Sequence, residues 1–356
     1  MKKIEYLLLV FILLFPNIQA ESNEWSTQTQ KQIVNNSVSD QLYGFIGDLK
    51  LQNGEILFDC ELGYKTFGKM NEKKDNIIVF LSFFAGNSTH LGSLIGEDKI
   101  VDSTNYFIIC IDALSNGIST SPSKYNIEKN NYFPDITIRD MVNAEYLLLT
   151  KVLNINSVYC MIGGSMGGMQ VFEWLMLYPD FTEKAVPYLS TPQMTSFDLL
   201  CFNSLLQVIS FGKESNWGEK KIQQIVDMFF ATNFSTPDLI NSKTKREDFP
   251  NYLKSFTDKE INLVFTVDNI ESQLKACVSQ NIIKENSSIE ETAKQIKAKM
   301  LVIVCNTDRI VNPQPAIKFA KAGNFELVIL DNNCGHGGVS CEMKKVSGII
   351  DKFLDK

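Results

Sequence analysis

Residues 158–169 read Val-Tyr-Cys-Met-Ile-Gly-Gly-Ser-Met-Gly-Gly-Met, and the rest of the chain is best read outward from this junction. An apolar, β-prone run ends at Ile162, glycines flank Ser165 on both sides, and residues 170–178 continue without a breaker until Pro179. A strand that turns straight into a helix through Gly-X-Ser-X-Gly lifts the serine clear of its sheet. Glycines are required because such a turn strains the backbone and brings strand and helix too close for side chains. Ser165 is therefore the candidate nucleophile. No Gly-Lys-Ser/Thr follows, which separates these glycines from a phosphate-binding loop.

Outward from the junction, short apolar runs at 77–81, 106–111, 157–162, 300–304 and 326–330 alternate with longer helical patterns. That alternation predicts an α/β fold, a mostly parallel sheet with helices on both faces. Residues 57–67 read as an arm of an antiparallel hairpin ahead of it. The clearest helix is expected over 138–153, where Thr137 caps the start with Asp140 three residues on, and Met141, Ala144, Leu148 and Val152 share a face. Residues 191–297 break the alternation with helical patterns at 199–208 and 222–230, and read as a helical lid insertion. The core is then 41–190 together with 298–356.

The 356 residues are 44% hydrophobic, enough for a large core, and carry a formal net charge of −7 with no basic stripe. Nucleic acid is not an expected partner. Lys2 and Lys3, an apolar run over 6–15 and a cleavage region at 16–20 predict a secretory signal peptide over 1–20 and a polar leader over 21–40. The apolar run is roughly half a bilayer span, so no stable membrane anchor is expected, and the mature chain would be exported after cleavage near Ala20. Cys110, Cys160 and Cys305 fall inside apolar runs and read as buried free thiols. Cys334 and Cys341 are spaced to allow a pair across a short loop, which spacing alone does not decide.

A serine hydroxyl needs a neighbouring base near neutral pH, and the base needs a group that holds its tautomer. Histidine is the expected base, and the chain has only His90 and His336. His336 follows the run at 326–330 in a Gly-rich loop and is the candidate; His90 reads more simply as a structural histidine. Asp308, just after the run at 300–304, is the candidate acid, with Asp331 and Asp112 as alternatives at other strand ends. The order Ser165, Asp308, His336 is the one used with a strand-to-helix nucleophile turn; other serine hydrolase folds use other orders. Backbone donors for a developing oxyanion are expected at Met166, which follows the nucleophile, and in the loop after 77–81, with Phe84 first and Phe83 close behind. Two separated histidines and no Cys-X-X-Cys give no basis for a metal, and no cofactor is expected.

The segments FPDITIRDMVNAEYLLL, GGSMGGMQVFEW and YPD within 133–180 resemble the homoserine O-acetyltransferase branch of the α/β-hydrolases. Further likeness lies in YFIICIDALSNGISTSPS, NTDRIVNPQ and GHGG. The resemblance implies an α/β-hydrolase fold in which Ser165 takes an acyl group, with Asp308 and His336 as its partners and Phe84 and Met166 at the family's oxyanion donors. It also implies an arginine in the inserted region to grip an amino-acid carboxylate, yet no arginine lies between Arg139 and Arg246, and Ser82 stands where the family's loop carries a histidine. Export and the missing arginine make an exported serine hydrolase acting on small acyl esters the leading expectation. An O-acyltransferase is the alternative, and an inactive hydrolase fold serving as a binding protein is the third. The sequence leaves the oligomeric state open.

Overall fold

The computed structural model describes residues 40–356. The expected signal peptide, and the polar leader up to its last residue, lie outside the described residues.

The chain opens on an antiparallel pair, β1 (Leu42–Lys50) and β2 (Ile56–Phe67). Next come β3 (Ile77–Leu81), β4 (Phe107–Ile111), β5 (Val158–Gly164), β6 (Thr182–Tyr188), β7 (Lys299–Cys305) and β8 (Glu326–Leu330), which run parallel in one eight-stranded sheet of order β1-β2-β4-β3-β5-β6-β7-β8. β2 joins it antiparallel to β4. Every residue of β3 and β4 is buried, and their side chains split by strict alternation: Ile77, Val79 and Leu81 enter one core, Ile78 and Phe80 the other. A sheet covered on both faces requires such runs, because no side chain meets water.

Two of these strands are absent from the expected set. β6 carries Glu183 and Lys184 in its first half and Pro187 in its second, a composition that argues against a central strand. Lys184 is buried because its ammonium donates to the carbonyls of Phe353 and Leu354, at the end of the last helix. β1 is interrupted by register shifts at Gly47, which obscure its alternation.

The helices used below are α1 (Ser88–Gly92), α2 (Ile138–Leu147), α3 (Met166–Leu177), α4 (Ser196–Glu214), α5 (Glu219–Phe234), α6 (Pro237–Lys243), α7 (Phe249–Thr257), α8 (Val267–Val278), α9 (Gln314–Gly323) and α10 (Met343–Leu354). α2 begins with the expected capping box between Thr137 and Asp140, worth about 1 kcal/mol for such a cap. Its α-helical part stops at Leu147, and residues 148–152 continue as a π-helical turn, which is why the apolar spacing seems one helix to residue 153. α2, α3 and α9 cover one face through Met141, Phe172 and Phe319; α1 and α10 cover the other through Leu91, Val346 and Ile350. Helices α4 to α8 lie in the segment between β6 and β7; α8 packs on α4, and α5 packs on the turn Gly335–Gly337.

Within the first core, Glu145 of α2 is fully buried against Trp174 of α3, whose indole N–H donates to Oε2 at 2.7 Å; Oε1 has no partner among the described residues. Burial pushes the carboxyl from its ordinary 4.5 up to about 8. In the unfolded chain it ionises near 4.5, so the stability attached to this group is full below that pH and is lost as pH rises through about 8. Glu145→Gln keeps the acceptor for Trp174 and cannot ionise. The variant should gain on the parent across that window, by on the order of a few kcal/mol at its upper end. Urea midpoints at about pH 5, 7 and 9 test this; a difference that does not grow with pH contradicts it.

Candidate active site

Ser165 occupies the one-residue turn between β5 and α3, with φ +52° and ψ −122°, a left-handed conformation that costs a serine energy. The cost is met by fixed neighbours. Ser165 N–H donates to the Tyr188 carbonyl at 3.0 Å, and Ser190 Oγ donates to the Ser165 carbonyl at 2.7 Å, so the end of β6 holds both sides of the turn. The flanking glycines are there for contact: a Cβ on Gly163 would fall 2.2 Å from the Gly167 carbonyl oxygen, and one on Gly167 2.4 Å from that of Leu81.

His336 lies in a short 3₁₀ turn, Gly335–Gly337, beyond β8. The loop that carries it is tied down at several points. Thr307 Oγ1 accepts from Gly335 N–H at 3.2 Å and donates to the Asn332 carbonyl at 2.7 Å. Asn332 accepts from Cys334 N–H at 3.0 Å and donates to the Gly338 carbonyl at 3.1 Å, while Thr236 reaches across from the helical segment to the Asn333 carbonyl at 2.6 Å. Cys334 and Cys341 form a disulfide around the turn, so this pair, left open by spacing, is closed. Cys110, Cys160 and Cys305 are buried free thiols, as expected.

Asp308 follows β7. Its Oδ1 accepts from Ile310 N–H at 2.9 Å and Val311 N–H at 3.1 Å, which leaves Oδ2 aimed at His336 Nδ1, 2.7 Å away. His336 Nε2 is 2.9 Å from Ser165 Oγ. A carboxylate only accepts, so the ring proton belongs on Nδ1, and Nε2 accepts from the serine hydroxyl. The structure thus brings Ser165, His336 and Asp308 into one hydrogen-bonded chain. The other candidates are engaged elsewhere. Asp331 accepts from Asn306 at 2.6 Å, and Asp112 is buried under Ser88, Gln41 and Asn116. His90 is buried beside Phe83, its ring nitrogens have no hydrogen-bond partner among the described residues, and burial pulls its pKa down to about 4, which keeps it neutral.

Met166 is the first residue of α3, so its N–H has no helical carbonyl four residues back. The loop after β3 is fastened to the same helix, since Gln170 Nε2 donates to the Ser82 carbonyl at 2.9 Å and to the Met166 carbonyl at 3.1 Å. Within that loop the Ala85 amide is committed to Gln273 Oε1 at 2.9 Å, which leaves Phe83 and Phe84 as its candidate donors. The Phe84 ring packs against Phe230 and Phe265, at centroid distances of 5.1 and 5.5 Å.

Three side chains at the site escape motif reading. Gln273, Phe230 and Phe234 all come from the helical segment, and Phe234 meets the His336 ring edge-on at 5.5 Å. Phe230 and Phe234 stand four apart on α5, the one signal that they share a face. A cavity of about 220 Å³ borders Asp308 and is lined also by Asp198, Asn306, Arg309 and Asn312. Among the described residues no cluster of His, Cys, Asp or Glu is placed to hold a metal ion. The arrangement can deliver a deprotonated serine oxygen to an electrophilic carbon and hold the proton at His336 meanwhile.

Comparison with known proteins agrees with this architecture. A family model described as alpha/beta hydrolase fold matches residues 83–339. A homoserine O-acetyltransferase of Methanosphaera stadtmanae is 28% identical over 372 residues, covering 92% of this chain and 75% of that protein. A probable esterase of Corynebacterium glutamicum is 34% identical over 177 residues, 49% of this chain and 51% of its own length. Among solved structures, an acetylester hydrolase from Corynebacterium glutamicum superposes with a TM-score of 0.79 at 22% identity, over 89% of this chain and 96% of that one. The homoserine O-acetyltransferase from Bacillus anthracis gives 0.79 at 20%, over 90% and 98%. These two structural likenesses are likenesses of fold.

Asp308→Asn tests the hydrogen-bonded chain directly. The asparagine oxygen can still accept from Ile310 and Val311, but its NH₂ then faces Nδ1 and drives the ring to the tautomer that protonates Nε2, which no longer accepts from Ser165. Labelling of Ser165 by a fluorophosphonate should slow by about 10⁴-fold with the fold retained. Parental labelling kinetics in this variant would show that Asp308 does not set the tautomer.

Proposed function

The chain belongs to the alpha/beta hydrolase fold family, and from that premise we propose that it is an acyl-transfer enzyme working through an acyl-Ser165 intermediate. The observation that carries this reading is the chain Ser165 Oγ, His336 Nε2, His336 Nδ1, Asp308 Oδ2, at 2.9 and 2.7 Å, on a left-handed strand-to-helix turn. Ser165 Oγ attacks the carbonyl carbon of an acyl donor while Nε2 takes its proton. Asp308 holds the ring and stabilises the imidazolium, and the amides of Met166 and Phe84 receive the oxyanion. The proton passes from Nε2 to the leaving oxygen or sulfur, and an acyl ester remains on Ser165. The acceptor then gives its own proton to Nε2, attacks that ester and releases the serine.

The identity of the acceptor divides two readings. The sequence alone ranks water first. The named relatives that match most of the chain are homoserine O-acetyltransferases, and on their weight we place transfer to a small hydroxyl acceptor such as homoserine ahead of hydrolysis. Hydrolysis is the second reading. It is favoured by the similarity to a probable esterase over half the chain, and by the placement of the two arginines weighed for a carboxylate grip. Arg139 is paired with Glu173, and Arg246 lies in an exposed turn.

Export belongs to the same proposal. The Cys334–Cys341 disulfide around the base loop supports an oxidising compartment, where such bonds persist. An exported enzyme meets acyl esters more readily than acyl-CoA, so an ester is the donor class we favour.

Ser165→Ala should lower turnover by on the order of 10⁶-fold if the three side chains act as a unit. Retention of parental turnover in that variant would overturn the acyl-enzyme. The acceptor is decided separately. Acetyl-CoA or 4-nitrophenyl acetate is supplied with and without homoserine, and O-acetylhomoserine is measured against free acetate by mass spectrometry. Faster formation of O-acetylhomoserine than of acetate is the expected result; acetate alone, unaffected by homoserine, would give the function to hydrolysis.

A further inference from the structure

Gly335, His336 and Gly337 close around one residue of the helical segment, Phe234 at the end of α5. Gly335 has φ +63°, and a Cβ there would fall 2.5 Å from the Phe234 carbonyl oxygen. One on Gly337 would fall 3.0 Å from Phe234 Cε1, and between the two glycines the His336 and Phe234 rings cross at 83° with centroids 5.5 Å apart. The small residues on either side of the base thus make room for this side chain. Two residues on, Thr236 fastens it: its hydroxyl donates to the Asn333 carbonyl at 2.6 Å and accepts from Leu239 N–H at 3.2 Å, which caps α6. The end of α5 is therefore docked on the turn through a main-chain contact, a ring and a hydroxyl.

In the free site the imidazole has a hydrogen bond at each nitrogen, from Nδ1 to Asp308 at 2.7 Å and to Nε2 from Ser165 at 2.9 Å. Acylation removes the second, because an esterified serine oxygen has no proton to donate. The ring then keeps one hydrogen bond, yet Nε2 must stay aimed at the acceptor until the acceptor's proton moves. Packing has to supply the lost restraint, and Phe234 is the ring that lies against the imidazole. We propose that Phe234 is a positioning residue which keeps His336 aimed while the acyl group is on Ser165, so that its loss falls on deacylation more than on acylation. The proposal rests on the acyl-enzyme reading above.

The step it serves is the second half of that reaction. The acceptor O–H bond breaks and its proton goes to Nε2, while the acceptor oxygen bonds to the acyl carbon. The bond from that carbon to Ser165 Oγ then breaks, and the proton passes from Nε2 to Oγ. Phe234 exchanges nothing in these steps and acts on distance alone, since a misplacement of about 1 Å costs on the order of 10²-fold in rate. Phe234→Ala removes the ring and leaves its space beside the imidazole unfilled. During acylation the Ser165 hydroxyl itself holds Nε2, so the same opening costs less there.

The test uses the full chain and 4-nitrophenyl acetate. Acylation is read from the first-turnover release of 4-nitrophenolate after rapid mixing, and the steady-state fraction of acetyl-Ser165 by mass spectrometry. In Phe234→Ala, kcat should fall on the order of 10²-fold and acylation by less than about tenfold, so that the acetyl-enzyme accumulates. Phe234→Met refills much of the space and should recover at least about tenfold of the loss. A side chain that served only as a wall for substrate would raise KM and leave deacylation unchanged, and one that only kept water away would speed deacylation when removed. Either result, equal losses in both steps, or a loss that Phe234→Met does not repair overturns the proposal. If Phe234→Ala does not fold, Thr236→Val, which removes the tie to Asn333, carries the same comparison, with Thr236→Ser as the variant that restores it. Labelling of Ser165 by a fluorophosphonate is read in parallel. Failure of the parent to label removes the acyl-enzyme reading, whereas parental labelling with unchanged deacylation in the Phe234 variant removes this role alone.

Discussion

The approach of β5 to α3 is the constraint on which the rest of the site depends. With Gly163 against the Gly167 carbonyl and Gly167 against that of Leu81, the strand end, the helix start and the end of β3 meet backbone to backbone. That contact does three things together. It forces Ser165 into a left-handed conformation, it leaves the first amide of α3 without a helical partner, and it sets the loop after β3 beside that helix. Larger side chains at these glycines would separate all three, since the obstructing atoms are main-chain oxygens that cannot rotate away. The strain at Ser165 is tolerated because the turn is bounded by hydrogen bonds to the Tyr188 carbonyl and from the Ser190 hydroxyl, which belong to the next strand and the residues after it.

The proposed base is positioned by a different principle. His336 sits in a loop, where backbone entropy opposes a fixed side chain, and the loop is restrained by side chains that satisfy its own polar groups. Asn332 and Thr307 each bridge parts of it, Thr236 ties it to the helical segment, and the disulfide closes it. Asp308 uses one carboxylate oxygen on two backbone amides, so that the other has a single direction left for Nδ1. The strand ends thus supply position, and short polar side chains supply orientation.

How much of this was legible follows from where each signal is written. Ser165 is announced by local glycines, β3, β4, β5 and β7 by apolar runs buried on both faces, and β8 by an apolar run at the half-exposed sheet edge. His336 and Asp308 could be named because histidine is scarce and the acid follows a strand. β6 was hidden because Lys184 and Pro187 are polar or breaking residues whose roles, capping α10 and pairing beside Gly163, exist only in three dimensions. Gln273 was hidden for the same reason: it acts on a residue 188 positions away, and no local pattern marks a buried amide in an amphipathic helix. The loop after β3 was legible as a pair of aromatics, but the commitment of the Ala85 amide to Gln273 was not.

The helical segment between β6 and β7 is therefore more than a cover. One face of α5 places Phe230 on Phe84 and, one turn later, Phe234 on the ring of His336, so a single helix touches both the proposed oxyanion loop and the base. α8, from the same segment, holds Ala85. Any rotation or shift of this segment must move the aromatic wall, the turn and the base loop together, because the contacts are packed and hydrogen-bonded. Such a coupling bears on the choice between water and a hydroxyl acceptor. In the proposed reaction, an organic acceptor that packs against Phe230 or Phe234 gains apolar contact that water lacks. Under the proposed acyl-transfer reading, discrimination between acceptors falls to the side chains of α5, and the acyl chemistry to the strand ends. Those two parts of the sequence can vary separately, and a common α/β core can carry transfer and hydrolysis alike.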